Sequence, residues 1–370
     1  MTTDRRTFIK QVGLGAGALA LGLPAHASLS PLWPDYDRGM VIDGLCLPFD
    51  AGQTNLSPAQ LAAFKASGIT AVNATIPYPG DDFDATVAKI ANTQALIRRH
   101  PDHLRLVTRT EDLRLAKAQG QLGIIIGFQS VEMFADHEDA MATFAGLGAR
   151  IMQPSYNGPS PIGTGGLASA SNGLSEAGRQ WLAAAQQHGV LVDLSHGNRQ
   201  TVRDALDQAQ APLALTHTGC NAIYRHPRNN DDAELKRVAE GGGVVGIYQM
   251  PFLDGGQGEL TKEMFLAHLK HALNLCGEDA VSVGSDQGIE PIDDGPEYRQ
   301  ALKAEVLARR AAGISAPGES PDRPPFIPHY NNPRRMELVA ADLAELGYPS
   351  RVIDKVIGAN LARVFAETWT

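Results

Sequence analysis

A chain of 370 residues, 43% hydrophobic and 20% charged, can bury a large core as one α/β barrel or as two medium domains. Its formal charge of -9 argues against a nucleic-acid groove, which needs a basic field, and against adhesion to anionic lipid. Cys46, Cys220 and Cys276 show no CxxC pairing, so neither a disulfide scaffold nor a cysteine zinc site is suggested.

The first segment, "DRRTFIK", leads into a short Gly/Ala-rich apolar run and then "AHAS". Paired Arg5 and Arg6, the weak apolar run and the small residues before Ser28 read as a twin-arginine export signal over residues 1–27. An anchoring helix is the lesser alternative, because the run is too short and Gly-rich to span a bilayer comfortably. The expectation is a periplasmic protein carried by the twin-arginine export machinery, with one domain over residues 28–370.

Strand-like apolar runs then alternate with helical patterns. "MVIDGL" precedes a helix that starts near Ser57 and stops at Gly68, a hydroxyl N-cap and a glycine terminator. "ITAVNATI" precedes a long amphipathic stretch from Asp82 to His100. "LRLVTRT", "LGIIIGF" and "ARIMQPS" follow, the last after a helix over about Glu138 to Gly146. Next come "VLVDLS", "PLALTH", "GVVGIYQM" and "AVSVGSD", each separated by a helical stretch. Short buried strands divided by such helices mean a parallel sheet. Eight or nine units without a GxGxxG turn favour a closed (β/α)8 TIM barrel over an open doubly wound sheet. The polar stretch from Pro291 to Tyr330, rich in Pro, Gly and Arg, reads as a long loop or lid, or as a flexible excursion. The closing residues read as helices that pack on the barrel.

"LVDLSH" and "LALTH" both end a strand with a hydroxyl residue and an imidazole, His196 and His217, and "AVSVGSD" ends with Asp286. In a barrel, reacting groups stand at the carboxyl ends of strands. Two neutral imidazoles there can converge on one divalent ion, zinc being natural for nitrogen ligands; without metal they can act as acid and base near neutral pH. Asp286 could instead cap the following helix. Arg228, in "RHPRNNDD", could clamp a substrate carboxylate with two parallel hydrogen bonds, or pair on the surface with Asp231 or Asp232.

The run "GVLVDLSHGNRQTVRDAL…APLALTHTGCNAIYRHPRNNDDAELKRVAEGGGVVGI", with "VGSD" and "GYPSRVIDKVIGANLARVF", resembles the membrane (renal-type) dipeptidase family of metallopeptidases, M19. The resemblance implies an amidohydrolase-type (β/α)8 barrel, often a homodimer, in which two zinc ions activate a hydroxide against a dipeptide carbonyl. It places His196 and His217 on ligands of the second zinc, Arg228 at the substrate carboxylate and Asp286 near the attacked bond; Asn157 and Asn229 are taken with Arg228 as substrate-binding. The first half departs from the family pattern. Leu45 and Leu47 in "DGLCLPFD" stand where the family has a histidine and an aspartate that bind the first zinc. Gln129 stands at the bridging glutamate, and Tyr156 at a substrate-facing histidine. Leucine cannot bind a metal ion, and a carboxamide is a weak neutral ligand. Cys46 and Glu132 are candidate rescue ligands. The expectation is therefore a dipeptidase-like hydrolase of a small carboxylate-bearing amide, holding at most one zinc ion on His196 and His217, with Asp286, Tyr156 and Gln129 as catalytic groups. The alternatives are a metal-free lyase or isomerase on the same barrel, and a non-catalytic periplasmic binding or maturation protein.

Overall fold

The structure, a computed structural model, describes residues 32–369 apart from 136, 138, 170, 256–257 and 312–314. The export signal read over residues 1–27 lies outside the described residues.

Nine strands follow one another: β1 (Ile42–Cys46), β2 (Ala71–Thr75), β3 (Leu104–Leu106), β4 (Leu122–Phe128), β5 (Ala149–Met152), β6 (Leu191–Val192), β7 (Ala214–Thr218), β8 (Val244–Ile247) and β9 (Val281–Val283). All the ladders between them are parallel. Most of these strands are buried along their whole length. Burial on both faces is why they read as unbroken apolar runs rather than alternating ones. Pairing runs β1-β2-β4-β5-β6 and β7-β8-β9. Bridges Asp193↔Ala214 and Cys46↔Gln287 join the two arcs, so eight strands close a (β/α)8 barrel. β3 is the ninth: it pairs with the first residues of β4 while β5 pairs with the last ones.

Helices form where the caps in the sequence dictate. α1 (Pro58–Ser67) starts on a capping box of Ser57 with Gln60 and stops at Gly68, φ 66°, a left-handed position that glycine adopts without a Cβ penalty. α2 (Phe83–Arg99) begins on Asp82, whose carboxylate accepts from the Ala85 N–H. α3 (Thr110–Gln119), α4 (Ala140–Gly146), α5 (Glu176–Gln187), α6 (Arg199–Gln208), α7 (Asp232–Glu240) and α8 (Lys262–Cys276) complete the outer layer. α5, α6 and α8 start on Ser175, Asn198 and Thr261, whose side chains accept an amide of the first turn.

The two ends of the barrel differ in chemistry. At the amino end Ile42, Ala71, Ile125, Ile151, Leu191, Ala214 and Val244 meet Leu361, Val364, Phe365 and Trp369 of and beside the last helix, α12 (Asn360–Thr368). That end is an apolar plug. Higher up the bore narrows around the Thr216 carbonyl: a Cβ on Gly246 or Gly284 would lie 2.0 or 2.1 Å from it. Only glycine lets β8 and β9 approach that closely.

The polar excursion at about 291–330 is not a continuous loop. It holds a sixteen-residue helix, α9 (Pro296–Ala311), with Tyr298, Leu302 and Val306 buried against Phe326 and Ile292. Ala, Leu, Glu and Arg at most of its positions favour helix, which outweighs the Pro- and Gly-rich flanks. α10 (Arg335–Glu345) and α11 (Ser350–Asp354) lead to α12. Among the described residues no helix is long and apolar enough to cross a membrane.

Candidate active site

The two hydroxyl-histidine strand ends share one carboxylate. Asp193, fully buried, follows β6 and accepts the Ser195 and Thr216 amides at 3.0 Å each. It also accepts the Thr216 hydroxyl at 2.6 Å, the Gln153 amide at 2.8 Å and the Ser195 hydroxyl. Burial pushes the Asp193 carboxyl above its usual range, and these donors oppose the rise. Because the Thr216 hydrogen goes to Asp193, Thr216 Oγ1 accepts from His217 Nδ1 at 2.8 Å. His217 therefore carries its proton on Nδ1 and a lone pair on Nε2. Asp193 was not picked out in the sequence, although it sits inside the same "LVDLSH" string.

His196 is fixed from both sides. Its Nδ1 lies 2.8 Å from Asn157 Oδ1, and its Nε2 lies 3.1 Å from an Arg228 Nη2. A guanidinium only donates, so Nε2 is the acceptor and Nδ1–H donates to Asn157. The Tyr156 ring stacks on the imidazole with centroids 4.3 Å apart and 25° between planes. The His196 and His217 rings are 5.1 Å apart. Arg228, 3% exposed, also donates to the Ser195 carbonyl. It is thus a buried pocket group and not a surface partner of Asp231 or Asp232; Asp231 pairs with Arg199 and Arg225 instead.

Asp286 is held by a second carboxylate clamp. Asp43 on β1 accepts the Ser285 amide at 2.8 Å and the Ser285 hydroxyl at 2.6 Å, with Arg335 of α10 3.9 Å away. Burial raises the Asp43 pKa to about 6. Arg335 donates to the Gly288 carbonyl beyond it. Between these anchors the Asp286 amide donates to the Leu45 carbonyl at 2.9 Å, and the residue is turned to φ 58°. Among the described residues it is the one non-glycine with positive φ. A side chain in that region costs about 1–2 kcal/mol, and the turn aims it into the barrel mouth.

There a cavity opens, with Tyr156, Asn157, His196, Arg228 and Asp286 on its polar side. Met250, Phe252, Leu302, Val306 and Pro325 form an apolar side, and Glu305, Arg309, Glu319 and Arg323 stand at its charged edge. Half of that wall comes from α9 and the segment after it. Arg309 pairs with Glu319 at 2.8 Å and Arg323 with Asp254 at 2.7 Å. His226 holds this cover to the Arg228 loop. Its Nδ1 accepts the Arg228 amide at 3.1 Å, so its Nε2–H donates to the Pro317 carbonyl at 2.8 Å.

The other sequence candidates stand off this wall. His217 is fully buried behind His196. Gln129, 2% exposed at the end of β4, donates its amide to Thr75 Oγ1 at 2.6 Å. Asn229 spends its amide on the Tyr224 and Phe252 carbonyls, 2.8 and 2.9 Å, and its carbonyl on the Tyr248 hydroxyl; it staples the loop that carries Arg228. Of the rescue ligands, Glu132 is exposed on a 3-10 turn. Cys46 is buried, with a thiol pushed well above its usual range by burial. Neither lines the cavity.

These residues do not fit a two-zinc centre. Leu45 is a buried hydrocarbon at 1% exposure, Gln129 presents no charge, and among the described residues no group of three or more His, Cys, Asp and Glu could hold a metal ion. Two dications need anionic ligands between them.

The sequence profile of membrane dipeptidase, peptidase family M19, matches residues 51–315. An uncharacterized dipeptidase of Schizosaccharomyces pombe is 28% identical over 242 residues, which are 60% of this chain and 58% of the relative; the chain thus spans less than two thirds of that protein. A solved amidohydrolase from Pseudomonas aeruginosa is 29% identical, with a TM-score of 0.78 over 92% of this chain and 99% of its own. The dipeptidase AC, a metallo peptidase of family M19, superposes with a TM-score of 0.71 at 21% identity over 89% of this chain and 98% of its own.

Proposed function

The chain belongs to the membrane dipeptidase family, peptidase family M19, and we propose that it hydrolyses a small amide or dipeptide bearing a free carboxylate. The observation that carries this reading is the Arg228 guanidinium, 3% exposed and placed on the same cavity wall as Asp286. A buried arginine is a strong carboxylate receptor, because its planar fork matches two oxygens at once. A guanidinium has five N–H donors; bonds to Ser195 and His196 leave further donors for a ligand. With the carboxylate docked there, Asp286 is the group that takes a proton from attacking water and returns it to the leaving amine. Tyr156 and Asn157 fix the His196 ring by stacking and by accepting from its Nδ1–H, and line the path of the amide. The substrate's apolar part packs on Met250, Phe252, Leu302 and Val306. We further propose that the metal complement is at most one zinc ion, and that the protein acts in the periplasm after twin-arginine export.

The test is turnover of dipeptides and N-acyl amino acids beside the same compounds with the carboxylate amidated, run in ¹⁸O-water. Solvent oxygen in the product is expected for hydrolysis, and Arg228→Gln is expected to raise KM for the free acids about 100-fold, the size of a lost charge-assisted pair. Equal turnover of the amidated compounds would overturn the carboxylate reading. Product without solvent oxygen would point instead to lyase or isomerase chemistry.

A further inference from the structure

We infer that Arg228 keeps a divalent cation off the histidine pair and that its guanidinium is the fixed positive charge of this site. The inference concerns the same pocket as the hydrolase reading but does not depend on which substrate is bound.

The argument begins with lone pairs. His196 and His217 both carry their proton on Nδ1, bonded to Asn157 and Thr216. That is how a metal-binding imidazole is oriented, with Nε2 left to point at the ion. On His196 this nitrogen instead accepts an Arg228 N–H at 3.1 Å. One lone pair cannot serve a hydrogen and a metal ion together. A guanidinium keeps its charge at any pH the fold survives, so a dication beside it is also repelled, and more strongly than in water because the site is buried.

Arg228 is anchored at its backbone and at its guanidinium. Its backbone amide is held by His226 Nδ1 at 3.1 Å, and its backbone carbonyl accepts the Thr218 hydroxyl at 3.0 Å. A second N–H is spent on the Ser195 carbonyl, one residue before the imidazole it blocks. The carboxylates that remain nearby are Asp193, already engaged by Ser195, Thr216 and Gln153, and Asp286 on the same cavity wall; the family's first-strand and bridging carboxylates have no counterpart here. Leu45 and Gln129 occupy those positions, and Gln129 turns its amide to Thr75. With those anionic ligands missing, the Arg228 guanidinium is seated directly on His196 Nε2. The positive potential at this point of the site comes from a side chain.

The experiment uses the full chain without substrate. Purified protein is incubated with zinc sulfate, desalted and measured for metal, with the histidine ¹⁵N resonances followed in parallel. The wild type is expected to retain less than about 0.1 zinc per chain, with the His196 Nε2 resonance unmoved. Arg228→Gln, checked for native circular dichroism, is expected to gain about one zinc per chain, and His196→Ala added to it to lose that zinc. Zinc near one per chain in the wild type that disappears in His196→Ala would overturn the inference. So would a folded Arg228→Gln that takes up none. Should Arg228→Gln fail to fold, the wild-type resonances decide alone: a zinc-dependent shift at His196 Nε2 overturns the inference and its absence upholds it. Because no turnover is read, failure here is distinguishable from failure of the hydrolase reading.

Discussion

Thr216 donates its hydroxyl hydrogen to Asp193 across 2.6 Å, and by doing so it decides which nitrogen of His217 is protonated. The same carboxylate takes amides from the ends of both β6 and β7. A single buried charge therefore aligns two strand ends and two imidazoles. Thr216→Val keeps the shape but removes the acceptor of His217 Nδ1–H and one of the two donors to Asp193 Oδ2, which keeps Gln153. The expected loss is about 1–3 kcal/mol in urea unfolding, with Thr216→Ser restoring most of it.

Asp286 combines a left-handed backbone with a proposed proton-transfer role. Asp286→Asn suits that backbone equally well and removes the base. Stability is expected to stay within about 0.5 kcal/mol, while turnover falls at least about 100-fold with KM little changed. Asp286→Gly is expected to be as inactive yet no less stable. A variant that loses stability together with turnover would mark Asp286 as a structural residue.

Two neutral histidines hold the surroundings of the pocket. His226 bridges the Arg228 amide and the Pro317 carbonyl; His268 bridges the Cys220 amide and the Leu253 carbonyl at 2.9 and 2.8 Å. Burial lowers each pKa from 6.5 to about 4. A depressed histidine binds fewer protons folded than unfolded, so its contribution is complete above pH 6.5 and lost as pH falls through about 4. The size is at most about 3 kcal/mol for each residue. Asp43, raised by burial to about 6, contributes with the opposite sign, its stabilisation being present below pH 3.8 and lost as pH rises through 6. The measurement is therefore the difference in unfolding free energy between wild type and His226→Gln across pH 4 to 7. That difference is expected to shrink as the solution is acidified.

Leu302 places a branched side chain from α9 on the apolar wall, 4% exposed. Leu302→Ala is expected to weaken substrates with a bulky apolar group about 10-fold in kcat/KM and to leave Gly-Gly-sized substrates unaffected. Equal losses for both would place α9 outside substrate recognition.

The barrel was legible because doubly buried strands write themselves as uninterrupted apolar runs, and because Ser57, Gly68 and Asp82 mark helix ends by their own chemistry. The positions of His196, Asp286 and Arg228 followed from the rule that strand ends and their loops face the mouth. Asp43 and Asp193 were harder to see. Each is a lone acid in an apolar string, and only the fold brings Ser285 or Thr216 across to it. Asn229 looked like a ligand group beside Arg228, but its partners are backbone carbonyls up to 23 residues away, which spacing does not reveal. α9 had a readable signal in Tyr298, Leu302 and Val306 at helical intervals; the surrounding prolines and glycines hid it.

The cover over the cavity is pinned at two points, each belonging to a different working loop. Pro317 is tied through His226 to the backbone of Arg228, and Pro325 receives the Gln287 amide at 2.7 Å, next to Asp286. The cover is therefore coupled to the backbone of the anion receptor and to the residue next to the proton carrier. One stretch of chain thus braces both halves of the working site.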